Sequence, residues 1–280
     1  MTLGRIPCTL NRWLPRFGLR FLFAIVTLFA VWIGMWVTGV RNQKQAVETL
    51  TNIGGVVRYD HQTDGLLYAD DSFSMVYASM VNDPPMSPDI PRWSLGLLGN
   101  EYFQDVACVH LSGSNNVKKT TGWLDSLDEL PRMRRLSVFD LPVDDDDLAQ
   151  ISRSKRLVEL VLVNREFDAE YTDNGLRHLG DLHELQSLNL RGADVSDQGL
   201  EHLQGLRQLK HLTLDSPHIT NAGLDHLKKL KNLNELSVSG TEVTEEGARH
   251  LLRSLPSLKR VFTYTGLVQR TARTPTKRGR

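Results

Sequence analysis

Cysteine is nearly absent: the 280-residue chain holds two, Cys8 and Cys108. A disulfide framework needs several closely placed pairs, and no Cys-x-x-Cys occurs, so disulfide-scaffold, zinc-finger and thioredoxin-type readings fall away. Net charge is absent too, with 33 Lys and Arg against 33 Asp and Glu, which excludes a strongly basic nucleic-acid coat. A chain that is 40% hydrophobic and 24% charged is neither a disordered tail protein nor a collagen. There is no Asn-x-Ser/Thr sequon, which fits a bacterial exported domain. Missing as well are G-x-S-x-G, H-E-x-x-H, a Gly-rich phosphate loop and a kinase signature. No catalytic constellation is left to build on, so an enzyme is not expected, nor a cofactor.

Acidic residues are missing from both ends. Residues 1–44 hold Arg5, Arg12, Arg16, Arg20, Arg41 and Lys44 with no acid, and residues 270–280 hold five basic residues with no acid. The body, 45–269, keeps 22 basic residues against all 33 acids, a net of −11. An acidic body argues against gripping phosphate backbones, so no nucleic-acid partner is expected.

The first positive feature is a charge-free run of 20 residues, 21–40, bracketed by Arg20 and Arg41. About 20 apolar residues is the length a helix needs to cross ~30 Å of hydrocarbon. Trp13, Trp32 and Trp36 suit an interfacial belt. A cleaved signal peptide is the competing reading, but its apolar core would run to about 7–15 residues and end at a small-residue site. An uncleaved transmembrane helix is therefore expected. Four arginines precede it while Arg41 and Lys44 follow, which predicts a cytoplasmic N-terminus and a body outside the cytoplasm. Cys8 and Cys108 then lie on opposite sides of a bilayer and cannot pair.

The second feature is internal repetition. Leu185-x-x-Leu188-x-Leu190 recurs as Leu209, Leu212, Leu214 and as Leu233, Leu236, Val238, spaced by 24 both times. Earlier units are marked by Val106, Val109, Leu111, by Met133, Leu136, Val138, and by Leu157, Leu160, Leu162; Leu258 and Val261 close the series. A second block keeps phase: Tyr171-Thr-Asp-Asn-Gly-Leu, Val195-Ser-Asp-Gln-Gly-Leu, Ile219-Thr-Asn-Ala-Gly-Leu and Val243-Thr-Glu-Glu-Gly-Ala. The first block alternates as a strand with one buried face does. The second opens on Thr172, Ser196, Thr220 or Thr244 before a helical pattern, an N-cap signature. Neither half can bury its apolar face alone, so units must stack on a shared core.

Over about 106–265 these residues resemble the leucine-rich repeat family in its roughly 24-residue variety, as found in bacterial membrane-anchored members. The resemblance implies an α/β solenoid: short parallel strands on a concave face, short helices on a convex one, here behind an N-terminal transmembrane helix. One departure is visible. The Asn or Cys usual at the turn after the strand is Ala193, Pro217 or Thr241 here, so the loop amides need other partners.

The rest of the chain carries no repeat. A basic cytoplasmic tail, 1–20, and the span, 21–40, lead into a juxtamembrane helix, linker and N-terminal cap, 41–105. Ala46, Val47, Leu50 and Ile53 fall on one side of a helix stopped by Gly54-Gly55, and Val56–Tyr59 suit a strand. Four prolines within 82–91 make a loop, and Trp93, Leu97, Leu98 and Phe103 suit a cap over the open core end. Residues 266–280 are expected to be a disordered basic tail.

Candidate chemistry gives way to structure. Asp144–Asp147 could suggest calcium, but Asp144 holds the cap position and the other three the first helical turn, where carboxylates are favoured. His178, His202, His226 and His250 recur every 24 residues, yet each sits on its own helix, and helices ~8–10 Å apart cannot bring ligands to ~2.1 Å from one ion. No metal site is expected. Cys108 and His110 become neighbours on one strand face with no pocket visible around them. What remains is a surface. Strand alternation sends Arg135, Ser137, Phe139, Glu159, Val161, Val163, Asn189, Arg191, His211, Asp215, Glu235 and Arg260 to the concave face, about 30 Å across seven strands. Solenoids bind partners on such faces. A non-catalytic, membrane-anchored recognition or scaffolding protein at the envelope, with a protein partner, is the resulting expectation; a substrate-recognition adaptor of a ligase-type complex is the alternative, with a hydrolytic enzyme behind it.

Overall fold

The computed structural model describes residues 19–59, 106–113, 123–164, 170–192 and 194–270. Two units are distinguished, 1–42 and 43–280. The cap residues Trp93, Leu97, Leu98 and Phe103, the proline loop, the tail 1–18 and residues 271–280 lie outside the described set.

No proline interrupts residues 19–52, and the polar stretch after Val40 is rich in Gln and Lys, good helix formers. The expected span and juxtamembrane helix are accordingly one helix, α1 (Leu19–Asn52). It is long and apolar enough to cross a membrane by length and composition. Phe23, Leu28, Trp32 and Met35 of its first part are exposed. At its far end, Ala46 and Leu50 enter the hydrophobic core of the second unit, and Gly54, at φ 86°, reverses the chain into β1 (Val56–Tyr59).

The second unit is built on one nine-stranded sheet whose order follows the chain. Strands β2 (Val106–Ser112), β3 (Arg135–Phe139), β4 (Glu159–Val163), β5 (Ser187–Arg191), β6 (His211–Asp215), β7 (Glu235–Val238) and β8 (Arg260–Thr263) are parallel to one another. Their register stacks the repeat leucines: Leu136, Leu160, Leu188, Leu212, Leu236 and Val261 form one continuous row, all at 1% exposure or less.

Returning segments cover the apolar face. They are α2 (Trp123–Asp128), α3 (Asp145–Ile151), α4 (Asp173–Leu179), α5 (Gly199–His202), a 3-10 helix (Gly223–Lys229) and α6 (Glu245–Ser254). The two central units return by shorter or tighter turns than the helix expected of them. Most segments drop two or more apolar side chains, such as Leu148 and Ile151 or Leu176 and Leu179, into the shared core.

Antiparallel strands close both ends of the sheet. β1 pairs with β2, and β9 (Gly266–Gln269) pairs with β8. The disordered tail expected from residue 266 is therefore corrected: 266–269 form a strand, with Val268 buried opposite Val261. The Arg270 guanidinium then donates to the Leu252 and Leu255 carbonyls, which α6 leaves unbonded at its end.

The turn amides without an asparagine ladder find their partners one unit away. The Asp145 carboxylate accepts from the Thr172 amide at 2.7 Å and the Thr172 hydroxyl at 2.9 Å. Asp173 does the same for Ser196, Asp197 for Thr220, and Asn221 takes the last rung to Thr244. Each hydroxyl in turn accepts from an amide two or three residues on. Thr172 and Thr244 cap their helices in this way, whereas the caps expected at Ser196 and Thr220 are corrected, since Gln198 and Ala222 hold those N-cap positions without a side-chain bond. Glycine follows at 199 and 223 because a Cβ there would overlap the Asp173 or Asp197 carboxylate. The V-[TS]-[DN]-x-G signature is thus an inter-unit clamp. On α3, Asp144 holds the cap position expected of the four-aspartate run, and Asp147 bonds back to it to complete a reciprocal capping box.

Candidate functional site: the helix-free face of the sheet

Side chains that point away from the core line up across the strands. The first row runs Arg135, Glu159, Ser187, His211, Glu235, Arg260, and a second runs Ser137, Val161, Asn189, Thr213, Ser237, Phe262. A third holds Phe139, Val163, Arg191 and Asp215. Every candidate partner-binding residue thus occupies the face expected of it. Leucine-rich units stacked in this register, strand beside strand and return segment beside return segment, decide the architecture. The fold is a leucine-rich repeat solenoid.

The solenoid's free face is not uniformly open. Val161 and Val163 are 2% exposed, and Arg135, Ser137 and Asn189 are 6% exposed. These five candidates were expected to be accessible and are instead buried. Phe139, Glu159, Arg191, His211, Asp215, Glu235 and Arg260 are half-buried. The change along the face is sharp: Thr213, Ser237 and Phe262 share Val161's row but keep contact with solvent, and Tyr264, just beyond β8, is 86% exposed.

Electrostatics follow the burial. Loss of solvent pushes the Glu159 carboxyl up, with Arg135 and His211 pulling it back. The same cause pushes the Cys108 thiol up to about 11, again opposed by Arg135, and holds the His110 imidazole down. Cys108 is free and buried, so it stays a protonated thiol at neutral pH. Asn189 Oδ1 and Arg191 Nε are buried and make no hydrogen bond among the described residues. At the accessible end, Arg260 Nε donates to Glu235 Oε1 at 2.8 Å, and His211 Nδ1 lies 3.6 Å from the other oxygen of the same carboxylate.

Elsewhere, His226 Nδ1 is 3.0 Å from Gln204 Nε2, a contact between neighbouring units. Among the described residues no group of three or more His, Cys, Asp or Glu could hold a metal ion.

No family model matches the chain, and no curated protein does. Similar solved structures include an internalin (inlF) and an internalin C2 (inlC2), both of Listeria monocytogenes. Each is 22% identical with a TM-score of 0.44, covering 56% of this chain and, respectively, 41% and 61% of its own. The chain thus spans less than two thirds of either, and the solenoid assignment rests on its own strands and register.

Proposed function

We propose that this is a non-catalytic recognition protein of the cell envelope. Residues 21–40 anchor it in a membrane with the N-terminus cytoplasmic, and the solenoid outside the cytoplasm holds a protein partner on its free face. The observation that carries this reading is the gradient along that face. The end built by β6–β8 offers acceptors, donors and aromatic surface together: Asp215, Glu235, Arg260, Phe262 and Tyr264. Aromatic and arginine side chains are the usual anchors of protein interfaces. The buried positions of β3–β5, Arg135, Ser137, Val161, Val163 and Asn189, contribute to the shape of the floor rather than to direct contact.

The test is a pull-down with the full chain, followed by affinity measurement on variants. Asp215→Lys, Phe262→Ala and Tyr264→Ala together are expected to weaken binding at least about tenfold, the loss that truncating anchors gives. Charge reversals at Glu201, Asp225 and Arg249 on the return segments are expected to leave it unchanged. Loss in the second variant and retention in the first would move the site to the opposite side.

A further inference from the structure

The net charge of the second unit conceals a separation that the fold creates. Because β2–β8 are parallel, every turn leading into β3–β8 lies on one edge of the solenoid, and every turn leaving β3–β7 lies on the other. The leading turns, 129–134, 153–158, 181–186, 205–210, 229–234 and 254–259, carry ten Lys and Arg against three Asp and Glu. The described residues of the leaving turns, 140–147, 170–175, 194–199, 216–223 and 240–247, carry twelve Asp and Glu and no Lys or Arg. Helix dipoles account for part of this, since the return segments start on the acidic edge and end near the basic one. They do not account for Arg134, Arg156, Arg207, Lys231 and Lys259, which lie in the turns beyond. All five are exposed, and none has an ion pair or side-chain hydrogen bond among the described residues.

The backbone holds these turns in line. The residue before each strand accepts, through its carbonyl, from the amide of its counterpart in the next unit: Arg134 from Val158, Gln186 from Lys210, Lys210 from Asn234, Asn234 from Lys259. The cations therefore form a stripe in two runs, Arg134 with Arg156 and Arg207 with Lys231 and Lys259, separated by the turn before β5, which holds Asp181 and Glu184 and no Lys or Arg. Five strand residues separate the two edges by about 16 Å, roughly twice the ~8 Å Debye length at physiological salt. An approaching partner meets a predominantly basic edge and a predominantly acidic one.

We propose that the basic edge docks on the acidic edge of a second copy of this chain, in a side-by-side arrangement that repeats from copy to copy. A uniform polyanion would meet the basic stripe but also a body with a net charge of −11 over 45–269. A second copy instead presents the complementary edge with the same strand spacing. The contact is heterologous, using different surfaces on the two copies, so it leaves one edge of each sign free. Exposed ion pairs are individually weak and screened by salt, so the association is a low-salt, multi-rung one.

The experiment uses the full chain, labelled with donor and acceptor dyes, in vesicles of zwitterionic phosphatidylcholine. Energy transfer between copies is expected at 50 mM NaCl and is expected to fall at least about fivefold by 500 mM, as a screened contact must. A basic-edge variant, Arg156→Glu/Arg207→Glu/Lys231→Glu, and an acidic-edge variant, Asp146→Lys/Glu242→Lys/Glu246→Lys, are each expected to lose self-transfer. Mixed in equal amounts they are expected to recover it, which also shows that both are folded. No transfer by the wild-type chain at low salt, transfer insensitive to salt, or a mixture that stays dark would each overturn the proposal. So would a basic-edge variant that self-associates normally but no longer binds added vesicles containing phosphatidylglycerol; that result would assign the stripe to anionic lipid.

Discussion

Leu212 and Thr213 are neighbours in the chain and lie on opposite faces of β6. Leu212 is 1% exposed and sits between Leu188 and Leu236 in the core row, while Thr213 is half-buried on the free face. Truncating a buried leucine leaves a cavity, so Leu212→Ala is expected to cost about 2–5 kcal/mol in urea denaturation. Thr213→Ala is expected to cost under about 0.5 kcal/mol; equal costs would refute the register. His110 tests burial through pH. Burial holds its imidazole below the ordinary 6.5, so the folded chain binds that proton less tightly than the unfolded one. Between the two pKa values the unfolded state carries more protons, and stability therefore falls as pH drops below 6.5. His110→Gln, which cannot titrate there, is expected to remove part of the fall in urea midpoint between about pH 7 and 5. An unchanged slope would place His110 in solvent.

Between elements, the carboxylate clamp is the device to test. Asp197 serves both the amide and the hydroxyl of Thr220. Removing a charged acceptor that holds two partly buried donors is expected to cost about 1–3 kcal/mol in Asp197→Ala. Thr220→Val keeps the amide bond, so a double-mutant cycle is expected to return a positive coupling at this rung. A coupling of zero, measured by urea titration of the four proteins, would reduce the clamp to coincidence. This device was only half legible in the sequence. Thr172 and Thr244 read correctly as caps because capping is local, but Ser196 and Thr220 stand two residues before their N-caps, and the acceptor for each of their amides comes from 23 residues away. The strand register was fully legible, since leucine spacing and strand alternation are the same signal. Accessibility was not: Val161 and Thr213 hold equivalent places in their units, and nothing within a unit distinguishes the buried one from the open one. Strand β9 was missed for the converse reason, as Gly266–Gln269 shares no pattern with the repeats and forms by pairing with β8.

For the whole molecule, periodicity marked the seven strands and the family resemblance implied their parallel stacking, whereas the merging of the expected span and juxtamembrane helix into α1 was not legible, because a change from apolar to polar residues reads as a boundary even where no helix breaker stands. The proposed orientation rests on flanking charge, four arginines before residue 21 against Arg41 and Lys44 after residue 40. A reporter that works only outside the cytoplasm, fused after Lys277, is expected to be active; activity confined to a cytoplasm-specific reporter at that site would reverse the topology.

The clamp also makes the molecule indifferent to how many units it contains. Each unit offers one acceptor forward and receives one backward, so excising residues 197–220 would leave Ser196 followed by Asn221. The Asp173 rung would still end on Ser196, and the Asn221 rung on Thr244. The caps formed by β1 and β9 would not register the change, and the free face would shorten by one strand spacing, about 4.8 Å. Length is thus a coordinate along which this architecture can drift by whole steps, with the reach of its free face as the quantity that varies.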